Sequence, residues 1–384
     1  MTLIIEATNI RAGGGLTHIS EMLTNADEYT KKCFSRVIVI GSRKCLDKLK
    51  DLNWVEGYHH PYFEKNVFFR IYWLYIKFPR YISTIKGKYI VFNPGGAYVG
   101  AIHPFVTMSQ NMLVFDAQER NRYPLFSVQR FRLQILSWLQ SISISKAKGV
   151  IFISEHAKDY ISRQLSIDIK SSTIIPHGIS KRFFHLPKNQ LSIDYYSANN
   201  PFNLLYVSII DVYKHQWVLA EAVLQLKESG FPVKLTLIGP KYEGAFKKLE
   251  KILLDPRNSD QIIDYKGEVP FDEIDQSYKN ADGFVFSSTC ENMPNIVIEA
   301  MSAGLPILSS SFPPMPEFLK EAAFYFDPLS VENTKKMIVE FMQNGDLRSV
   351  KVQKSFEMAQ QYNWSQTASL TFQYLKEIAE LEAK

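Results

Sequence analysis

The stretch that decides the fold reads Ser288-Thr289-Cys290-Glu291-Asn292-Met293-Pro294-Asn295-Ile296-Val297-Ile298-Glu299-Ala300-Met301-Ser302-Ala303-Gly304-Leu305-Pro306. It follows a strand end at Phe284-Val285-Phe286 and crosses a short polar loop. A helix is then predicted from about Pro294, because proline suits a first helical position and Gly304 a C-terminal stop. Glu291 sits in the loop. Glu299 sits inside the helix, roughly 7 Å further along its axis at 1.5 Å per residue. Between them point the free backbone N–H groups of the helix start, in the Met293 to Asn295 region, where the partial positive charge and unpaired donors suit an anion.

A phosphate at that terminus, with a carboxylate on either side to accept hydrogen bonds from hydroxyls, describes a nucleotide sugar.

Working outward, 384 residues predict two domains, each able to bury its own core. The hydrophobic fraction of 46% and charged fraction of 22% are those of an ordinary globular protein. A net charge of +5 is mild and does not point to nucleic acid. The three cysteines, Cys33, Cys45 and Cys290, lack metal-type spacing and predict buried thiols in a reducing compartment. Met1 to Ile10 does not read as a secretory signal, and no apolar run reaches the length of about 18 residues that spans a bilayer. The expected location is cytoplasmic, peripheral on the inner face of the membrane if bound to it.

In unit order, the strand Leu3 to Ala7 leads into Gly13-Gly14-Gly15 and a helix carrying His18, an arrangement that lets backbone approach a phosphate. Strands and helices then alternate, as a parallel sheet requires. Residues 65–88 interleave aromatics with Arg70, Lys77, Arg80, Lys86 and Lys88; they read either as a core helix broken at Pro79 or as a contact with an anionic membrane interface. Gln110 and Asn111 follow a strand and fall where open α/β sheets bind ligands. A helix from Leu125 to Lys146 has a basic face at Arg130 and Arg132, and His156 lies at the start of another. The polar run 187–201 reads as the linker. Beyond it come the strand Leu204 to Ser208, Lys214, the strand ending at Gly239, the loop at Val269, a helix from Asp272 to Asn280 and a last helix from Ser365.

Glu291 and Glu299, in the setting of Ser-Thr-Cys before and Ala-Gly-Leu-Pro after, resemble the paired glutamates of the retaining glycosyltransferases of family four. Pro176-His177-Gly178 and Lys214 resemble further segments of that family. The resemblance implies the α/β fold known as GT-B: two doubly wound Rossmann-like domains facing each other across a cleft. The implied domains are 1–186 for the acceptor, a linker at 187–201, 202–364 for the nucleotide sugar, and a C-terminal helix at 365–384 crossing back to the first. It further implies that Glu291 contacts hydroxyls of the donor sugar and acts with Lys214 in catalysis, and that Glu299 takes the ribose hydroxyls. Gly14, Gly15, Ser208, Gly239, Val269, Met293, Pro294, Asn295 and Ile296 are the further expected donor-binding residues. His18, Gln110, Asn111 and His156 are expected at the acceptor or cleft.

The family places an arginine where Ile209 stands here, so one of two cations for the diphosphate is replaced by an apolar side chain. No Asp-x-Asp occurs. The implied reaction is metal-independent transfer of a hexose, needing no cofactor, from a nucleotide diphosphate sugar to a glycan or lipid-linked acceptor in cell-surface polysaccharide assembly such as O-antigen or lipopolysaccharide. The alternative that Ile209 raises is a non-catalytic partner subunit of a glycosyltransferase complex.

Overall fold

The computed structural model describes residues 1–11, 13–98, 100–166, 171–270 and 273–382. The expected start of a helix at Asp272 and the last two residues of the expected C-terminal helix lie outside these. The chain divides into two compact units: Met1–Phe115, Phe126–Gly178 and Tyr362–Lys384 form unit 1, while Asp116–Leu125 and Ile179–Gln361 form unit 2.

Unit 1 is built on seven parallel strands: β1 (Thr2–Ala7), β2 (Arg36–Gly41), β3 (Val55–Tyr58), β4 (Tyr89–Asn93), β5 (Phe105–Ser109), β6 (Gly149–Phe152) and β7 (Ser172–Ile174), in spatial order β3-β2-β1-β4-β5-β6-β7. Leu3 pairs with Val37 on one side and Ile90 on the other. The central strands are near-continuous apolar runs because helices cover both sheet faces. Strand order reverses at β1 and β4, which makes the C-terminal ends of these two strands the expected crevice.

Two glycines in unit 1 are dictated by geometry. Gly13, at φ 69°, caps the helix Gly14–Thr24 in a conformation that disfavours any side chain. Gly178 lies so close to the start of the helix Trp364–Leu381 that a Cβ would sit 2.2 Å from the Trp364 backbone nitrogen. That last helix packs against Gly14–Thr24 within unit 1.

The segment after β3 is not broken at Pro79. A wide turn over Trp73–Lys77 precedes Phe78–Ile82, and Pro79 falls in the first turn of the latter, where its missing N–H costs no ladder bond. Trp73, Phe78 and Ile82 point inward against Phe63, Tyr98 and Phe105.

Unit 2 carries β8 (Phe202–Val207), β9 (Val233–Ile238), β10 (Ile263–Tyr265), β11 (Gly283–Phe286), β12 (Ile307–Ser310) and β13 (Phe324–Phe326), all parallel, in order β10-β9-β8-β11-β12-β13. This is the doubly wound order, with its switch point between β8 and β11. The run 187–201 is fastened to this unit. Arg348, fully buried, donates to the carbonyls of Leu191, Phe341 and Met342 at 2.6 Å each and to Gln190 Oε1 at 3.2 Å. Contacts therefore change from one unit to the other at Gly178 and Ile179 and not within the polar run.

Candidate active site

The site grows from the loops that follow the two switch-point strands of unit 2. The loop after β8 carries Asp211 to His215, and the loop after β11 carries Ser287 to Pro294. Hydrogen bonds sew them together. Ser287 Oγ donates to the Lys214 carbonyl at 2.6 Å, Tyr206 Oη donates to the same oxygen at 3.0 Å, and Thr289 N donates to the Tyr213 carbonyl at 2.9 Å. His215 Nε2 and Thr289 Oγ1 are hydrogen-bonded at 3.0 Å.

Between these loops Lys214 Nζ forms an ion pair with Glu291 Oε1, and Ser288 Oγ donates to the same carboxylate oxygen at 2.5 Å. The side chains are 5% and 14% exposed, so the pair is largely out of water. Lys214 also lies over the rings of Tyr213 and Phe286, at 5.0 and 4.8 Å from their centroids. Packing that tight holds the ammonium in place without a bound ligand.

The helix Asn295–Ser302 begins one residue later than expected. Pro294 is the N-cap, with ψ of 96°, because its extended ψ keeps it outside the helix while its carbonyl accepts from Val297 and Ile298. No side chain caps this end, and the N–H groups of Asn295 and Ile296 stand outside the helical ladder. Glu299, at the inner end, accepts a 2.8 Å hydrogen bond from Tyr278 Oη. Burial pushes its carboxyl up to about 7, and the Tyr278 hydrogen bond opposes that rise.

Glu299 opens onto a pocket of about 330 Å³ lined also by Ser208, Ile209, Gly239, Val269 and Ile296. These residues come from the ends of β8, β9 and β10 and from the helix after β11. Gly239 is required here: its φ is 139°, and a Cβ would fall 2.2 Å from the Ser208 carbonyl oxygen. Ile209 lines the pocket as an apolar wall. Met293 is buried beside the helix start and does not line that pocket.

Several neighbours carry no sequence signal. Tyr123 Oη donates to Asp211 Oδ1 at 2.8 Å, and Asp211 also accepts from Val212 N, which fixes the loop that carries Lys214. Tyr278 and Ser288 sit in positions where periodicity reads only core or loop. His215 is no acid–base candidate at neutral pH, since burial pushes its imidazole down to about 3. Burial likewise pushes the Cys290 thiol well up, in keeping with a packing role.

The remaining expected residues lie in unit 1. Gly15, Gln110 and Asn111 line a second pocket of about 190 Å³, together with Asn9, Gly95 and Gln140, at the ends of β1, β4 and β5. Gln110 Nε2 donates to the Pro94 carbonyl at 2.9 Å and Asn111 Oδ1 accepts from Leu113 N at 3.0 Å, so each also braces the backbone. Gly14 heads its helix in open space. His18 is not a surface group: it is fully buried, shares a 3.0 Å Nδ1 contact with His177 Nδ1 and meets Trp364 edge-on. The helix turns it inward, onto the Pro176-His177-Gly178 segment. His156 lies in the first turn after the N-cap Ser154, its ring tilted at 50° to that of Tyr160; the capping is done by Ser154 Oγ, which accepts from Ala157 N at 3.1 Å. Among the described residues no group of three or more His, Cys, Asp or Glu is placed to hold a metal ion.

Two Rossmann-like α/β units of this topology make the GT-B fold, the fold of a large class of glycosyltransferases. Superposition agrees over the whole chain. HepE of Anabaena, solved with UDP and glucose, matches with a TM-score of 0.69 at 16% identity, covering 100% of this chain and 99% of that one. Sucrose-phosphate synthase of Thermosynechococcus elongatus matches with a TM-score of 0.75 at 15% identity over 100% of both. Residues 190–358 match the family model described as glycosyl transferases group 1. The O-antigen chain mannosyltransferase B of Escherichia coli is 24% identical over 243 residues, 61% of this chain and 62% of that protein. The capsular polysaccharide biosynthesis glycosyltransferase CapM of Staphylococcus aureus is 24% identical over 225 residues, 57% of each. The chain thus aligns with about three fifths of the length of these curated relatives.

Proposed function

We propose that the protein transfers a hexose from a nucleotide diphosphate sugar to a hydroxyl of a glycan or lipid-linked acceptor, with retention of configuration and without a metal ion, in the assembly of a cell-surface polysaccharide. The carrying observation is the Lys214–Glu291 pair at the β8–β11 switch point, beside the uncapped start of Asn295–Ser302 and the Glu299 pocket. The names of the relatives, an O-antigen mannosyltransferase and a capsular polysaccharide glycosyltransferase, support the pathway class. Free thiols at Cys33, Cys45 and Cys290 fit a reducing, cytoplasmic setting.

In this reading the nucleoside fills the unit 2 pocket, with ribose hydroxyls donating to Glu299. The diphosphate lies at the Asn295 and Ile296 N–H groups and Lys214, and Glu291 turns from Lys214 to the hydroxyls of the donor sugar. The bond from the anomeric carbon to the diphosphate oxygen breaks while the acceptor oxygen bonds to the same face of that carbon. The acceptor proton passes to the departing phosphate oxygen. Lys214 and the helix start stabilise the charge that develops on the diphosphate, which is where such donors lower a barrier most.

We assign the acceptor to the unit 1 pocket, whose lining is neutral and amide-rich. Gln140 Oε1 is buried there with no hydrogen-bond partner among the described residues, an acceptor suited to a sugar hydroxyl.

The test is a panel of UDP-, GDP- and dTDP-hexoses screened by calorimetry and by transfer to lipid-linked acceptors, with the anomeric configuration of product read by NMR. Donor binding followed by retained-configuration product supports the assignment; binding of no nucleotide sugar defeats it. Binding without transfer would favour the partner-subunit reading that Ile209, an apolar wall where a cation is expected, motivates.

A further inference from the structure

The unit 2 pocket holds a second carboxylate. Glu268, in the loop after β10, lines it together with Gly239, Pro240 and Val269. The sheet runs β10-β9-β8-β11, so the loop of Glu268 and the helix of Glu299 enter the pocket from strands three positions apart. Ser208 follows β8, the neighbour of β11, and belongs to the Glu299 side.

The two acids differ in what they already hold. Glu299 is buried and accepts from Tyr278. Glu268 is exposed and forms no hydrogen bond or ion pair among the described residues. Lys266, two residues before it, is paired with Asp264 at 2.8 Å. The backbone beside Glu268 is nevertheless anchored: Gly239 N donates to the Gly267 carbonyl at 2.8 Å, and Tyr265 Oη donates to the Gly239 carbonyl at 2.9 Å. A fixed loop thus carries an uncommitted carboxylate at the rim.

Between the two acids the lining is apolar, with Ile209, Ile238, Val269 and Ile274. Such walls take a planar ring by its faces, and all bases offer similar faces, so discrimination falls to groups at the ring edge. Once the ribose hydroxyls occupy Glu299, the acid left for that edge is Glu268. A carboxylate accepts hydrogen bonds through two oxygens and donates none. It therefore favours an edge with two adjacent donors. Guanine has one, N1–H beside the 2-amino group. Uracil and thymine present a single N–H between two carbonyl oxygens, and adenine and cytosine an amino group beside an unprotonated ring nitrogen. Each of these sets a lone pair against a carboxylate oxygen.

We propose that Glu268 reads the base of the donor and that this base is guanine, so that the donor is a guanosine diphosphate sugar. The inference rests on the transfer reading, in which the ribose lies on Glu299, and adds the nucleotide to it. A bidentate contact of this kind favours its base by roughly ten- to a hundredfold.

The experiment is calorimetry of the full chain with GDP, IDP, UDP, dTDP and ADP, repeated for Glu268→Ala and Glu268→Gln. GDP is expected to bind at least tenfold more tightly than UDP, dTDP or ADP. IDP, which lacks only the 2-amino group, should bind at least threefold more weakly than GDP. Glu268→Ala should lower GDP affinity at least tenfold, remove the difference between GDP and IDP, and leave UDP affinity within twofold. Glu268→Gln sets an amide donor against one of the two N–H groups and should also weaken GDP. Both variants should melt as the parent does, because the side chain is exposed and holds nothing in the protein. UDP binding as tightly as GDP, or GDP binding that Glu268→Ala leaves unchanged, would overturn this proposal and leave the transfer reading standing. Binding of no nucleoside diphosphate would overturn both.

Discussion

Lys214 and Glu291 neutralise each other across two loops, the ammonium of one against the carboxylate of the other, with both side chains largely shielded from water. A charged pair in that setting is costly to leave half-made. Removing one partner strands the other, a loss of roughly 3–5 kcal/mol for a fully buried pair and somewhat less for one this accessible. Lys214→Met and Glu291→Gln should therefore each lower stability in urea unfolding and abolish transfer. The double variant should recover part of the stability and none of the activity. Equal, additive losses of stability in the cycle would mean that the pair is not coupled.

Glu299 should report donor binding through a proton. Its carboxyl is held up at about 7 by burial, so near pH 7 it is partly protonated in the free protein. Ribose hydroxyls donating to it would favour the carboxylate and release the proton. Calorimetry in buffers of different ionisation enthalpy should show proton release at pH 6.5 to 7 that vanishes in Glu299→Gln. Tyr278→Phe removes the hydrogen bond that favours the carboxylate, so it should enlarge the release. For stability the sign is reversed from a salt-bridged acid. The folded state binds this proton more tightly than the unfolded one, so the free protein gains stability from Glu299 as pH falls from about 7 towards 4.5.

The buried histidines of unit 1 work in the opposite direction. Burial pushes His177 down to about 4 and His18 well below its ordinary range. The unfolded chain takes up these protons near 6.5 while the folded chain resists, so stability is fully present above 6.5 and is lost as pH falls towards 4. His177→Asn should flatten this dependence. The check is the difference in urea midpoint between pH 7 and pH 5, which should shrink in the variant.

Gly239→Ala should damage the pocket directly. At φ 139° the backbone is strained for any side chain, and the new Cβ would meet the Ser208 carbonyl at 2.2 Å. A cost of about 1–3 kcal/mol for the dihedral alone is expected, before the clash is counted. Affinity for any donor should fall at least tenfold, while Gly230→Ala, whose Cβ would meet nothing within 4 Å, should leave affinity unchanged.

Much of this was legible along the chain. The polar loop and helix from Ser288 to Pro306 singled out Glu291 and Glu299, and Lys214 was expected from its match to the lysine of the resembled family. Contacts distant in sequence leave no trace in local pattern. The run 187–201 looks like a free linker because its composition is polar, yet buried Arg348 ties its carbonyls into unit 2. His18 looks like a ligand-facing group beside a glycine loop, yet its partner is His177, which the helix Gly14–Thr24 meets on the segment after β7. The stripe of Phe131, Ile135 and Trp138 has the same periodicity as a core face, and only the fold shows which side of the helix meets the sheet.

The sequence by itself determined the alternation of strands and helices of a parallel sheet and the two carboxylates around a strand-to-helix turn, because periodicity, glycines and helix-start chemistry are local; the doubly wound class of both units came from the family resemblance. Tertiary structure decided that Lys214 meets Glu291, that Tyr123 and Tyr278 brace Asp211 and Glu299, and which carboxyl is pushed towards neutrality. Those outcomes depend on burial and on distances between loops from different strands, and neither quantity exists until the sheet has assembled.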